Sequence, residues 1–105
     1  MQLYLNNLTA FNNRYYKSIT GQQSSQWIFS TLTAIATGKP GVTVRTFEHS
    51  WPQSSVIAKI AGTAHGPLTI LGCHQDSINL SSPDNGRAPG ADDVRFSSGS
   101  RFTPQ

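Results

Sequence analysis

The sequence predicts an α/β fold, because the spacing of its apolar residues changes once along the chain. Up to Gly38, apolar residues recur every three or four positions, which is typical of helices. From Val42 onward they alternate with polar residues, which is typical of strands. A later run, "LTILG", is continuously apolar, as in a strand covered on both faces of an α/β sheet. The predicted order is therefore helix, helix, strand, strand, strand.

The first helix is predicted over roughly residues 3–17 from its apolar spacing. The residues that define this spacing are Leu5, Leu8, Phe11 and Tyr15. A second helix is indicated by Thr20 to Gln23, which has the T-x-x-Q form of a capping box, and Ser24 is an alternative cap. Gly38 and Pro40 are the expected signals for the end of this helix.

Two alternating segments predict the first two strands, with the loop "SWPQSS" between them. The positions that alternate with polar residues are Val42, Val44 and Thr46, then Val56, Ala58 and Ile60. The third predicted strand is "LTILG", residues 68–72, and Cys73 directly after it is expected to be a small buried residue.

The composition excludes several classes of protein. The chain has 105 residues and a formal charge of +3, but its eight basic residues are scattered, so no nucleic-acid partner is expected. No apolar run approaches the ~20 residues that a membrane span requires, so no membrane partner is expected either. The N-terminus lacks the pattern of a signal peptide. A single cysteine rules out an internal disulfide framework.

The residues with the strongest chemical signal are His74, Asp76 and Asp93. A neutral imidazole binds a metal through one nitrogen and donates its other N–H to a carboxylate, which is the arrangement that His74-x-Asp76 allows. Asp93 would add oxygen ligands if the loop over residues 78–88 folded back, with Gly90 providing the turn. The alternative is a loop histidine beside an incidental aspartate, with "ADD" as a solvated turn.

Other residues capable of metal ligation carry a weaker signal. His49 flanks a strand and His65 lies in a turn, so both are interpreted as structural. Glu48 is the only glutamate in the chain and is interpreted as a surface residue. Asn7 and Asn79 begin N-glycosylation sequons, which have a meaning only if the chain is exported.

The stretch "ILGCHQDSINL…GRAPGADD" closely resembles the H-x-D-S…A-P-G-A-D-D-D-x-S-G signature of metallopeptidase family 28, the di-zinc aminopeptidases. Upstream, "NLTAFNNRYYKSITGQQSSQWIF" and "HSWPQSSVIAKIAG" resemble the fungal branch of this family. The resemblance covers about residues 4–93.

This resemblance implies the N-terminal part of a three-layer α/β/α zinc-exopeptidase sandwich with a mixed sheet. It implies that His74 ligates one zinc ion, that Asp93 bridges two, and that Asp76 orients His74. In the family, zinc-bound water removes hydrophobic N-terminal residues from peptides, and the enzymes are largely secreted.

The family pattern stops after Asp93. The family continues with Asp-x-Ser-Gly and later a Glu-Glu pair that supplies the general base, whereas this chain continues with Val94 and contains no such pair. We therefore expect residues 1–93 to be a partial peptidase domain and residues 94–105 a disordered, non-family tail. A retained intron or a frameshift would explain the break, and a short isoform is the alternative.

Three hypotheses follow from this break. The first is an aminopeptidase fragment that is inactive alone because it lacks the general base, and that exists as a monomer or an aggregate. The second is a non-catalytic metal-binding or partner-binding module derived from the peptidase. The third is an independent small α/β domain with an accidental motif match.

Overall fold

The computed structural model describes residues 2–63 and 66–90. Four regular elements follow one another in the predicted order. They are helix α1 (Gln2–Ala10), helix α2 (Ile19–Ala36), strand β1 (Val42–Phe47) and strand β2 (Ser55–Ile60). The α/β class is confirmed at this level. The boundary expected at residues 93 and 94 lies outside the described residues.

Strands β1 and β2 form an antiparallel pair, in which Val44 lies opposite Ala58 and Thr46 lies opposite Val56. An isolated pair of strands is marginally stable in water. Helix α2 contacts both strands and supplies the packing that the pair needs. Both strands lie where the alternating pattern predicts them.

Helix α1 is shorter than predicted, since it ends at Ala10 and not near residue 17. The side-chain carbonyl of Asn13 accepts hydrogen bonds from the Tyr15 N–H and from the Ser18 and Thr20 hydroxyls. Such local bonds compete with helical hydrogen bonding and draw the chain out of the helix. The apolar spacing alone did not indicate that the helix ends at Ala10.

Helix α2 is capped by Ser18, so the assignment of the cap to Thr20 or Ser24 was wrong. The Ser18 hydroxyl accepts the Gly21 N–H at 2.9 Å, and Ser18 has an extended backbone. A side chain at Gly21 would collide with the Tyr15 carbonyl, so glycine is required where the helix meets the preceding segment. The helix ends at Ala36, followed by Gly38 at φ +76°, as predicted.

The predicted third strand is absent from the described part of the chain, where residues 68–72 contain only an isolated bridge position at Ile70. Leu68, Ile70 and Leu71 are 66%, 61% and 70% exposed. A strand of this composition needs neighbouring strands and a cover on both faces, and residues 2–63 and 66–90 supply neither. Cys73 is also exposed and not buried as predicted.

The interior of the described part is polar. No hydrophobic side chain in residues 2–63 and 66–90 is fully buried. The buried side chains are those of Asn13, Arg14, Ser18, Ser24, Ser25, Gln53 and Ser77. Hydrogen bonds, more than apolar packing, therefore position the loops. Within the described ranges, neither helix combines the length and apolar character needed to cross a bilayer.

Candidate functional site

The side chains of His74 and Asp76 lie together after residues 68–72. His74 Nδ1 is 3.3 Å from Asp76 Oδ1 and 3.1 Å from the Asp76 backbone carbonyl. Both side chains are accessible, with 57% of His74 and 39% of Asp76 exposed. Because Nδ1 faces Asp76, a metal ion would be bound through Nε2. The ligand role of His74 and the orienting role of Asp76 stay predictions.

The loop after this pair folds back on itself as far as Gly90. The Ser77 hydroxyl donates to the Ala88 carbonyl at 2.6 Å, which closes the loop. Gly90 has φ +60°, and a Cβ atom there would lie 2.8 Å from the Ser77 Cβ. The chain that leads to Asp92 and Asp93 thus passes beside the residue that follows Asp76. Asp92 and Asp93 themselves lie outside the described residues.

Arg14, from the segment between α1 and α2, joins the two ends of this loop. Its Nε donates to the Gln75 carbonyl at 2.8 Å, and its Nη1 donates to the Pro89 carbonyl at 2.6 Å. Its Nη2 donates to the Gly90 carbonyl at 3.3 Å. Only 1% of Arg14 is exposed, so these bonds form in a region shielded from water.

Asn13 holds the middle of the same loop. Its amide nitrogen is within hydrogen-bond distance of the carbonyls of Pro83, Asp84 and Gly86, at 3.4, 3.1 and 3.1 Å. The Arg87 guanidinium donates in the opposite direction, to backbone carbonyls at the end of α1 and just beyond it. The folded-back loop is therefore held along most of its length by residues 9–14.

Two glutamines connect the site to the strand pair. Gln53 Nε2, just before β2, donates to the Arg14 carbonyl at 3.0 Å and to the Gly21 carbonyl at 3.1 Å. Gln75 Nε2, between His74 and Asp76 in sequence, donates to the Ser54 carbonyl at 2.6 Å. The loop of the strand pair, the start of α2 and the site therefore form one hydrogen-bonded unit.

Open clefts lie on both sides of the His74–Asp76 pair. One, of about 580 Å³, is lined by the folded-back loop from Ser77 to Gly90. The other, of about 620 Å³, is lined by Tyr16 and Trp51 and by aliphatic side chains of α2 and β2. Ligand clefts in proteins commonly have volumes of roughly 300–1,000 Å³. Both residues line the two clefts, so the pair is open to solvent.

The described residues fit one part of a zinc site. His74 and Asp76 supply a ligand and its orienting carboxylate, and the exposed Nε2 suits zinc. In residues 2–63 and 66–90, no three His, Cys, Asp or Glu side chains come together in a way that could hold a metal ion. A catalytic zinc ion takes three protein ligands, so a zinc ion at this pair would need further ligands, of which Asp93 is the predicted one.

The remaining predicted residues lie apart from this pair. His49 Nε2 is 2.7 Å from the Ser55 hydroxyl, and its ring stacks on Trp51 at 4.6 Å, which agrees with a structural role. His65 lies outside the described residues. Asn7 is on α1 and donates to the Leu3 carbonyl.

The second sequon residue belongs to the loop of the site. Asn79 accepts the Ser81 N–H at 3.0 Å and donates to the Arg87 carbonyl at 3.3 Å. Its side chain therefore has a structural use in the loop, and its glycosylation, like that of Asn7, stays a prediction.

The residues that sequence reasoning missed are those that hold the loop in place. These are Asn13, Arg14, Gln53 and Ser77. One signal was available, since Asn12, Asn13 and Arg14 form a polar run inside the predicted helix. Asparagine is a poor helix former that prefers caps and turns, so this run could have indicated a break with a separate role.

No protein-family model matches this chain. Curated relatives are nevertheless similar over most of it. The chain is 50% identical to leucine aminopeptidase 1 of Trichoderma harzianum over 96 residues, which is 89% of this chain and 24% of that protein. It is 50% identical to a probable leucine aminopeptidase of Arthroderma benhamiae over 91 residues, 85% of this chain and 24% of the relative.

A third relative, leucine aminopeptidase 1 of Emericella nidulans, is 45% identical over 97 residues, 89% of this chain and 25% of the relative. The chain thus spans about a quarter of the length of the curated relatives it matches. Identity of this level over nearly the whole chain is far beyond a chance match of one motif. Over most of its length, this chain is homologous to the fungal leucine aminopeptidases, which confirms the resemblance indicated by its motifs.

Proposed function

We propose that this chain is a segment of a zinc-dependent aminopeptidase that removes hydrophobic N-terminal residues from peptides. In this proposal His74 and Asp93 bind zinc, Asp93 bridges two ions, and Asp76 orients His74. The proposal includes the larger three-layer α/β/α fold, export of the whole protein, and peptides with a free N-terminus as substrates.

The observation that carries the proposal is the 3.3 Å contact between His74 Nδ1 and Asp76 Oδ1. A carboxylate at Nδ1 fixes the imidazole tautomer that leaves the Nε2 lone pair for a metal. The position of Gly90 against Ser77 supports the role of Asp93. Asp93 is three residues beyond Gly90, and three extended residues span at most ~10 Å.

Zinc, when bound, would polarise the scissile carbonyl and lower the pKa of a bound water. The residues of this chain would bind and orient the metal, while the general base would come from elsewhere. The only glutamate among the 105 residues is Glu48, which is exposed and directly follows β1. Because water activation requires a base within hydrogen-bond reach, we expect these 105 residues alone to be inactive.

A chimera tests the proposal directly. The segment of Trichoderma harzianum leucine aminopeptidase 1 that matches this chain would be replaced by residues 1–93. We expect this chimera to bind zinc and to release leucine from a leucyl anilide, whereas the 105-residue chain alone should release none. His74→Ala and Asp93→Asn should each lower both zinc content and kcat in the chimera.

The matched control is His49→Ala, because His49 bonds to Ser55 and lies outside the His74–Asp76 pair. It should leave zinc content unchanged. Asp76→Asn should lower zinc affinity or activity by about 10- to 100-fold, the usual effect of losing a group that orients a metal ligand. Full zinc content and full activity in the His74→Ala chimera would contradict the proposal.

A second candidate function is a non-catalytic module that binds the remainder of a peptidase or a related chain. The high exposure of Leu68, Ile70 and Leu71 favours it, since contiguous exposed apolar residues mark interaction surfaces. Stable co-purification of the 105-residue chain with an intact relative would support this function. Separate elution of the two proteins at micromolar concentration would exclude it.

A further inference from the structure

We propose that Arg14 is a positioning residue, which holds the turn with His74 and Asp76 against the turn with Pro89 and Gly90 and thereby sets the orientation of the His74 ring. The consequence for zinc affinity rests on the proposed function, whereas the consequence for the His74 ring itself does not.

The first argument is where the three guanidinium nitrogens donate. Nε donates to the carbonyl of Gln75, which lies between His74 and Asp76 in sequence. Nη1 donates to the carbonyl of Pro89 and also to that of Leu8 in α1, and Nη2 donates to the carbonyl of Gly90. A guanidinium is planar and its donors have a fixed fork geometry. One rigid group therefore fixes the distance and angle between the two turns.

The backbone of Arg14 makes a second, independent link to the same turns. Its N–H donates to the Ser77 hydroxyl at 3.0 Å, and that hydroxyl donates to the Ala88 carbonyl at 2.6 Å. The Arg14 carbonyl accepts from Gln53 Nε2 at 3.0 Å. Arg14 is therefore held in place by Gln53, the residue just before β2. A residue that positions other groups must itself be fixed in this way.

The third argument is the close packing at Gly90. A Cβ atom there would lie 2.7 Å from Arg14 Nη2 and 2.8 Å from Ser77 Cβ. Its φ of +60° also disfavours other residues. The Pro89–Gly90 turn therefore leaves no space for a side chain between itself and the guanidinium, and a displacement of either would move the other.

Arg14→Lys is the direct test, because it keeps the charge and removes the fork. A lysine ammonium donates from a single nitrogen and cannot reproduce the bonds to Gln75, Pro89 and Gly90 together. The measurement is the imidazole ¹⁵N chemical shifts of His74 in the metal-free 105-residue chain, at a pH where the ring is neutral and at a concentration where sedimentation velocity shows a monomer. Zinc affinity is measured on the same samples by competition with a chromophoric chelator.

In the unsubstituted chain, Asp76 at Nδ1 should enrich the tautomer with the proton on Nδ1. Arg14→Lys should move the His74 shifts toward those of free histidine and weaken zinc binding about tenfold, the lower end of the range for groups that orient metal ligands. The matched control is Arg45→Lys, since Arg45 is exposed on β1. It should change neither quantity.

A second pair of variants covers the case in which Arg14→Lys does not fold. Gly90→Ala places a methyl group against Arg14 and should shift the His74 signals in the same direction. Gly38→Ala is its control, because Gly38 also has positive φ, +76°, but no heavy atom lies within 4 Å of the added Cβ. The difference between the two variants separates the close packing at Gly90, against Arg14 and Ser77, from the strain of a positive φ.

Unchanged His74 shifts in Arg14→Lys, or equal His74 shifts in Gly90→Ala and Gly38→Ala, would overturn the positioning role, even if thermal stability fell. If the unsubstituted chain binds no zinc but Arg14→Lys still shifts the His74 signals, the positioning role is supported. Such a result would contradict only the proposal that this chain by itself contributes to zinc binding.

Discussion

Single polar side chains determine how the described part of this protein is held together. Asn13 is fully buried and uses both ends of its amide, with its nitrogen toward the loop over residues 83–86 and its oxygen toward Tyr15, Ser18 and Thr20. A buried amide that uses all its hydrogen-bonding groups is stabilising, but its removal leaves several partners unsatisfied at once. Residues of this kind should be among the most sensitive to substitution.

We therefore expect Asn13→Ala to lower the free energy of unfolding by ~3 kcal/mol or more, since each buried polar group left unpaired costs roughly 1–3 kcal/mol. Urea denaturation followed by tryptophan fluorescence measures this. Asn6→Ala is the control, because Asn6 is exposed on α1 and accepts one surface bond from Gln2. Equal effects of the two substitutions would show that the Asn13 network contributes little.

At the scale of elements, the start of α2 is the point where helix, site and strand pair meet. Ser18 caps the helix, and the Gly21 carbonyl in its first turn accepts from Gln53 before β2. The segment of residues 11–18 continues directly into this cap and carries Arg14. The orientation of α2 and the position of the His74–Asp76 pair are therefore linked through this segment.

Ser18→Ala should destabilise the chain by about 1–2 kcal/mol, because it leaves the Gly21 N–H without its capping acceptor. Ser30→Ala, at an exposed position inside α2, should be neutral or slightly stabilising, since alanine is the better helix former. Thermal unfolding followed by circular dichroism compares the two. A cap at Thr20 instead of Ser18 would predict a negligible effect for Ser18→Ala.

At the scale of the whole molecule, the described part buries polar side chains and leaves several large apolar side chains exposed. In the described part no hydrophobic side chain is fully buried, and residues 68–71 are the most continuous exposed apolar stretch. Hydrophobic burial is the main favourable term in folding. Of the two states expected from the sequence, a monomer or an aggregate, this distribution favours self-association of the isolated chain, which stays a prediction.

Ile70→Lys should shift the isolated chain from associated species toward monomer in sedimentation velocity, because it places a charge in the centre of this stretch. Leu80→Lys is the matched control, since Leu80 is 84% exposed but lies in the folded-back loop. It should leave the distribution of species nearly unchanged. A sharply melting monomer without any substitution would contradict this interpretation.

Whether each element was predicted correctly depends on the kind of interaction that defines it. The strands β1 and β2 and the end of α2 were predicted correctly, because alternation and the Gly38 signal act over a few residues. The end of α1 and the cap of α2 were predicted wrongly, because the polar side chains of Asn13 and Ser18 redirect the backbone through hydrogen bonds that the apolar spacing does not register. The strand predicted at residues 68–72 needs partners that the described part lacks.

The sequence by itself determined the order of the first four elements, the resemblance to aminopeptidases, and the pairing of His74 with Asp76, which are two residues apart. Only the tertiary structure decided what holds that pair in place. Arg14 is 61 residues from Gln75, 75 from Pro89 and 76 from Gly90 in sequence. Local patterns depend on periodicity and on neighbouring residues. Hydrogen bonds over such separations leave no periodic trace, because their acceptors are backbone carbonyls that every residue possesses.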